Sequence, residues 1–99
     1  MDIKINSLHF KTDQKLETFI YNKVEKLANY FNGVIGADVS LKIANTQTNE
    51  NKIAEIRLII PGNDLYVKKQ SKSFEESIDK SVDALKRQLT KHKNKLKGE

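Results

Sequence analysis

The C-terminal quarter of the chain repeats apolar residues at helical spacing, and this segment constrains the fold more than any other. Its apolar positions, three, four or seven residues apart, are Phe74, Ile78, Val82, Leu85, Leu89 and Leu96. Ser73 and Glu76 form a capping box, which marks a helix start, so the pattern predicts one helix over residues 73–96. Such a helix is about 36 Å long and must cover an apolar surface that the remaining residues provide.

A second helix and four strands are predicted in the rest of the chain. Thr12 or Asp13 caps the helix, and Asn32 with Gly33 stops it in left-handed conformations. Its apolar positions are Leu16, Phe19, Ile20, Val24, Leu27, Ala28 and Phe31. Alternation of polar and apolar residues predicts strands at 2–6, 34–44, 54–60 and 65–69. A polar loop at 45–51 and the turn sequence Pro-Gly-Asn-Asp at 61–64 separate the later strands.

The order β-α-β-β-β-α predicts an α+β fold. The first helix makes the first two strands parallel if they pair, with a right-handed crossover, and the later strands follow as antiparallel hairpins. We expect both helices to pack on one face of the four-stranded sheet. The other face would carry the polar members of each alternation, namely Asp38, Ser40, Lys42, Glu55, Arg57 and Tyr66. A chain of 99 residues forms a single domain with one modest core.

The positive charge of the chain is concentrated at its C-terminal end. Residues 1–85 contain 12 Lys and Arg and 12 Asp and Glu, whereas residues 86–99 contain 6 and 1, so this last segment carries the whole net charge of +5. A localised positive surface on a neutral domain is typical of proteins that bind a polyanion. Nucleic acid is the favoured partner, ahead of an anionic membrane surface.

The cations of the predicted last helix divide between its faces. On a helical wheel, Lys80, Arg87 and Lys91 form one exposed row opposite the apolar stripe. Lys95 lies beside this row, and Lys86 lies toward the other edge of the stripe. Cations in a row can contact successive phosphates, and the release of counterions then favours binding. The alternative interpretation is a solvated helix face that contributes only to solubility.

The first helix adds cations of less certain meaning. Lys23 and Lys26 are interleaved with Glu17 and Glu25, which favours a solvated face with local ion pairs. These lysines join the binding surface only if they lie beside the row on the last helix.

Motifs for catalysis or metal binding are not found in the sequence. The chain has no cysteine, and its two histidines are His9 and His92, the latter on the edge of the apolar stripe where packing is the favoured role. Since there is no Gly-rich phosphate loop, hydrolase motif or zinc-protease motif, we expect no enzyme activity, metal, cofactor or small-molecule substrate. No signal peptide or apolar run of about 20 residues is visible, so a cytoplasmic protein is expected.

Several segments resemble a known family. Residues 87–93 read Arg-Gln-Leu-Thr-Lys-His-Lys, after Ile78-Asp79 and Leu85; residues 23–27 read Lys-Val-Glu-Lys-Leu, before Tyr30-Phe31; residues 39–43 read Val-Ser-Leu-Lys-Ile. Over essentially the whole chain, these segments resemble the bacterial hibernation-promoting factors, also called ribosome-associated inhibitors or protein Y. The resemblance implies the same β-α-β-β-β-α fold.

The resemblance also implies a function. It implies that residues 1–99 bind the small ribosomal subunit in the channel of mRNA and tRNA, with both helices facing 16S rRNA, and inhibit translation in idle cells. Carried over by position, the rRNA contacts are Lys23, Lys26, Arg87, Lys91 and Lys93. The alternative is a general module for double-stranded or structured RNA that acts off the ribosome. A third possibility is a scaffolding or weakly catalytic domain whose basic helix is incidental.

Three departures from the family pattern modify this expectation. Ser73 and Glu75 stand where the family has Asp and Tyr, and Ala84 stands where it often has Lys, so Lys80 or Lys86 would supply that cation. The chain stops before any ribosome-pairing domain, so we expect the short form, monomeric when free. The full set of predicted rRNA-binding residues is Lys23, Lys26, Lys80, Lys86, Arg87, Lys91, Lys93 and Lys95.

Overall fold

Strands and helices follow one another in the predicted order. The computed structural model describes the backbone of residues 1–96 and the side chains of residues 1–93. The elements are β1 (Asp2–Ser7), α1 (Gln14–Glu25), a 3₁₀ helix (Lys26–Asn29), β2 (Gly36–Ile43), β3 (Lys52–Ile59), β4 (Leu65–Ser71) and α2 (Phe74–Leu96). The predicted α+β fold is confirmed.

The four strands form one sheet in the order β1-β2-β3-β4. β1 runs parallel to β2, with Ile5 opposite Val39, and the later pairs are antiparallel, with Ile56 opposite both Val39 and Val67. The parallel pair follows from α1, because a helical crossover returns the chain to the end of the sheet where β1 began.

The apolar sides of the sheet and of both helices meet in one core. Its largest fully buried apolar side chains are Ile20, Leu27, Leu41, Ile56, Leu58, Ile78, Leu85 and Leu89. Burial of each such side chain contributes about 1.5–3 kcal/mol relative to exposure. The predicted apolar stripe of α2 is confirmed as far as Leu89, and Leu96 lies outside the described side chains. Both helices therefore cover the same face of the sheet.

The end of the first helix differs from the prediction. α1 ends at Glu25 and tightens into the 3₁₀ helix, which ends at Asn29. The positive φ angles in the described chain belong to His9 and Gly62, so Asn32 and Gly33 do not stop the helix in left-handed conformations. Gly33 serves packing instead: a Cβ atom there would lie 2.5 Å from the Phe31 ring.

Strand boundaries shift by one or two residues from those predicted. β2 begins at Gly36 and not at residue 34, β3 begins at Lys52, and β4 continues to Ser71. Ile43 shares the alternation of Val39 and Leu41 but is 51% exposed, since it is the last residue of β2 and extends beyond the shielded part of the sheet. The predicted turn at 61–64 is present, and Gly62 has φ 82°, a value that favours glycine.

Within residues 1–96, neither helix has the length and apolarity that crossing a lipid bilayer would require.

Candidate nucleic-acid interface

α2 is positioned by its first turn. The Ser73 hydroxyl oxygen accepts a hydrogen bond from the Glu76 backbone N–H at 3.1 Å, which satisfies a helix-terminal donor. Glu75 and Glu76 place negative charge in the first turn, where the helix dipole favours it. The cations that follow the Leu85 turn occupy the opposite, dipole-negative end. The order of charges along α2 therefore stabilises the helix, with acidic residues in its first turn and basic residues toward its far end.

The first helical segment and α2 run side by side in the same direction. Lys23 Nζ lies 3.2 Å from Asp79 Oδ1, and farther along both chains Lys86 Nζ lies 5.4 Å from the centroid of the Tyr30 ring. Because these contacts advance together, both segments have their C-terminal ends at the same end of the molecule. Lys23 of the first helix and Lys86 of α2 therefore lie along the junction of the two helical segments.

Past these contacts, residues after the 3₁₀ helix continue to pack against α2. The Phe31 and His92 rings meet edge to face, with centroids 5.1 Å apart. His92 is half-buried, so the predicted packing role at the edge of the apolar stripe is confirmed. Lys93 follows directly and lines a cleft with the segment that precedes Gly33.

Three of the predicted contact residues are paired with acids. Lys23 binds Asp79 as described, Lys80 Nζ lies 3.3 Å from Glu76 Oε1, and Lys86 Nζ lies 3.9 Å from Asp83 Oδ1. All six side chains are substantially exposed, so each pair is worth about 1 kcal/mol or less and can exchange its partner for a phosphate. Their charge is offset in the free protein but remains available to a polyanion.

The other predicted cations whose side chains the structure describes have no compensating acid. Among the side chains described, Lys26, Arg87, Lys91 and Lys93 are exposed and form no ion pair. Arg87 and Lys91 are four residues apart and therefore share a face of α2, while Lys93 lies on the side toward the first helix. The side chain of Lys95 lies outside the described residues. Uncompensated positive charge thus begins at Arg87 and extends along the later turns of α2.

The open face of the sheet has a different electrostatic character. Glu55 accepts a hydrogen bond from the Tyr66 hydroxyl at 2.9 Å, and Lys42 and Lys68 lie 3.9 and 3.8 Å from the same carboxylate. The pKa of Tyr66 is raised, first by the hydrogen bond that its hydroxyl donates to Glu55. Partial loss of solvent contact and the negative charge of Glu55 act in the same direction. A similar pair joins Arg57 to Asp64 at 3.0 Å. Charges on this face therefore largely cancel, in contrast to the later turns of α2.

Sequence reasoning gave no site role to the aromatic residue at the junction of the two helical segments. Tyr30 is 41% exposed. It lies between the asparagines that follow the first helix and the lysines on the later turns of α2. Its signal in the sequence was a tyrosine four residues after Lys26, outside the run of buried apolar positions. In the same part of the chain, residues 1–96, no group of three or more acidic or histidine side chains is arranged to hold a metal ion.

Comparison with known proteins gives consistent matches over nearly the whole chain. Residues 3–97 match the model of the family described as sigma 54 modulation protein / S30EA ribosomal protein. The ribosome hibernation promoting factor of Escherichia coli K12 is 29% identical over 97 residues, covering 98% of both chains. That of Pseudomonas putida KT2440 is 27% identical over 95 residues, covering 96% of this chain and 89% of its own length.

Solved structures agree with these matches. The N-terminal domain of Thermus thermophilus protein Y superposes with a TM-score of 0.80 and 25% identity, over 93% of this chain and 99% of that domain. A ribosomal subunit interface protein from Coxiella burnetii, at 17% identity and a TM-score of 0.83 over 95% of this chain and 99% of its own, shares the fold. The chain belongs to the sigma 54 modulation protein / S30EA ribosomal protein family.

Proposed function

We propose that the protein binds the small ribosomal subunit through 16S rRNA, occupies the channel used by mRNA and tRNA, and inhibits translation in idle cells. The observation that carries this proposal is the exposed, uncompensated positive charge at Arg87, Lys91 and Lys93. It is supported by relatives whose names state that they promote ribosome hibernation. As a member of this family, the chain is a binding protein and not an enzyme.

The shape of the surface suits a folded RNA. α2 has 23 residues, so it is a rod about 35 Å long, and its exposed cations can follow a phosphate backbone over several nucleotides. Lys23 on α1 and Lys86 on the side of α2 that faces α1 contribute once phosphates replace Asp79 and Asp83. A rod of this size on rRNA phosphates would exclude another polyanion from the same groove. Because ribosomes are cytoplasmic, we expect the protein to act in the cytoplasm. We also expect one copy of the 1–99 domain to bind each small subunit.

Cosedimentation with small subunits tests the partner. Purified protein would be centrifuged with small subunits at physiological salt, and its affinity compared with that for a generic RNA duplex of random sequence. The proposal requires a clear preference for subunits. Equal affinity for the duplex would instead support a general module for structured RNA that acts off the ribosome. With four or five phosphate contacts, the logarithm of the binding constant should fall with a slope of about −3 to −4 against the logarithm of salt concentration.

Competition tests the location in the channel. Labelled protein would be bound to small subunits and then challenged with saturating mRNA and initiator tRNA. We expect displacement, together with inhibition of cell-free translation when the protein is added before initiation. If the labelled protein stays bound at unchanged affinity, the channel is not its site, even if the subunit is its partner.

A further inference from the structure

We propose that a cleft at the end of the 3₁₀ helix holds one unpaired nucleotide of RNA, with its base stacked on Tyr30. The proposal rests on the proposed function for its biological setting, because it names how the same surface recognises RNA beyond its charge. The cleft has a volume of about 230 Å³ and is lined by Asn29, Tyr30, Phe31, Asn32 and Lys93.

These five residues combine the groups that a nucleotide requires. Aromatic rings provide stacking surface for any base, while the amides of Asn29 and Asn32 can donate to and accept from the polar edge of a base. Lys93 supplies a cation for the attached phosphate. A purely electrostatic surface would need the lysine alone, so the aromatic and amide groups point to recognition of a base.

The Tyr30 ring is exposed for stacking and has a cation beside it. Lys86 Nζ lies 5.4 Å from its centroid, which fixes a cation at the ring, yet 41% of the residue remains exposed. Stacking between an aromatic side chain and a base is tolerant of base identity. The same lysine can contact a phosphate on one side of the bound nucleotide while the ring contacts its base.

The walls of the cleft are set by packing. Phe31 is fixed edge to face against His92 of α2, and Gly33 leaves the space that its ring occupies. A cleft whose walls are positioned before RNA arrives loses less conformational entropy on binding.

A second cleft adjoins the first. About 300 Å³ in volume, it is lined by Asn22, Glu25, Lys26 and Asn29, and shares Asn29 with the first. Lys26 can therefore contact the phosphate of a neighbouring nucleotide. Sequence-dependent RNA recognition mostly uses bases that are splayed out of loops, bulges and ends, and the two adjoining clefts fit a strand leaving a helix at such a point.

Fluorescence of a single tryptophan tests the stacking directly. Because the chain contains no tryptophan, Tyr30→Trp places one reporter in the cleft. Tyr21→Trp is the matched control, since Tyr21 is 42% exposed but lines a groove against β1, on the side of α1 away from α2. Each variant would be titrated at low salt with a 12-base-pair RNA duplex carrying one bulged nucleotide, and with the same duplex without the bulge.

We expect the bulged duplex to quench Tyr30→Trp strongly and the perfect duplex to quench it little, with no such difference for Tyr21→Trp. Equal quenching by both duplexes, or none at the highest RNA concentration, would overturn the proposal. These probes contain no ribosomal component. Selective quenching by the bulge in a protein that ignores small subunits would contradict the proposed function and leave the nucleotide cleft standing.

Affinity for small subunits provides the second measurement. Loss of a base stack corresponds to about 1–3 kcal/mol, so Tyr30→Ala should weaken binding about 5- to 150-fold, whereas Tyr30→Phe should stay close to wild type. Tyr21→Ala should also bind as wild type does. Circular dichroism would establish that each variant is folded. Equal affinities for Tyr30→Ala and Tyr21→Ala would exclude a base stacked on Tyr30.

Discussion

Lys23 Nζ on α1 lies 3.2 Å from Asp79 Oδ1 on α2, so an ion pair bridges the two helices beside the candidate RNA surface. The pair holds a cation near the site and also offsets its charge. With the two side chains 40% and 50% exposed, the pair contributes little to stability, and its acid weakens the local attraction for phosphate.

Asp79→Asn should therefore tighten RNA binding while leaving the protein about as stable as wild type. The released Lys23 charge faces RNA alone, and a gain of about 1 kcal/mol or less corresponds to at most about fivefold in affinity. Glu50→Gln is a suitable control, because it removes one negative charge from the loop between β2 and β3, where the Glu50 carbonyl accepts a hydrogen bond from Gln70 of β4. Binding to small subunits would be measured at two salt concentrations. Weaker binding by Asp79→Asn would mean that Asp79 itself contacts the partner.

Reversal of charge at Arg87 and Lys91 should abolish binding to small subunits without unfolding the protein. Both side chains are exposed on one face of α2, so each substitution by Glu should change the free energy of unfolding by no more than about 0.5 kcal/mol. Lys4→Glu with Lys11→Glu makes the same change in net charge, at the open sheet face and at the β1–α1 connection. Cosedimentation and circular dichroism would be run on both double variants. Equal loss in both would indicate a general charge effect and not a site on α2.

Loss of either helix cap should affect stability and not recognition. Ser73→Ala frees the Glu76 N–H, and Asp13→Ala frees the Leu16 N–H, which now donates to Asp13 Oδ1 at 2.7 Å. Each should cost about 1 kcal/mol, measured by urea denaturation. Affinity for small subunits should stay unchanged below the melting transition. A large loss of affinity in folded Ser73→Ala would place the start of α2 in the interface.

Two buried serines should respond oppositely to substitution by alanine. Ser71 is fully buried and its hydroxyl has no hydrogen-bond partner among the described residues, whereas the Ser77 hydroxyl donates to the Lys52 carbonyl at 2.6 Å. Ser71→Ala should be neutral or stabilising by up to about 1 kcal/mol, because it removes an unsatisfied polar group. Ser77→Ala should destabilise by about 1 kcal/mol, because it leaves a part-buried carbonyl with one partner fewer. Thermal denaturation of the two variants would compare them, and equal losses would indicate that Ser71 has a partner.

His9 should tolerate glycine better than any branched residue. Its φ of 67° lies in the left-handed region, which costs a residue with a side chain about 1–2 kcal/mol. Glycine removes that strain but adds freedom to the unfolded chain, so His9→Gly should stabilise by up to about 1 kcal/mol. His9→Val should destabilise. The free energy of unfolding from urea titrations would decide, and a stabilising valine would contradict the strained conformation.

Periodicity was sufficient to predict the order of elements and the side of the sheet that each helix covers. Alternation identified the buried face of β3 at Ile56 and Leu58, and three- and four-residue spacing identified Ile78 and Leu85 in α2. These patterns are local, because each turn of a helix and each pleat of a strand must direct its apolar residues toward the core. The predicted end of the first helix was wrong because we interpreted Gly33 as a residue in a left-handed conformation. Its small size instead leaves room for the Phe31 ring. A contact of that kind depends on tertiary packing.

The candidate site was predictable in charge but not in pairing. The concentration of cations after Lys86 is visible in the sequence, whereas the partners of Lys23 and Lys80 depend on which acids the helices bring within reach. Tyr30 was missed for a related reason. The sequence alone does not distinguish an exposed tyrosine from a packed one. Only the fold places Tyr30 beside Lys86 and Lys93.

The common direction of the two helices also affects how the protein meets its partner. Acidic residues Glu75 and Glu76 lie in the first turn of α2, and the uncompensated cations lie along its later turns. Separation of charge within a molecule 47 Å in its longest dimension creates a large electric dipole. In the field of a polyanion, this dipole rotates the protein during diffusion so that its basic end arrives first. Such steering raises the association rate constant before any contact forms, and added salt screens it.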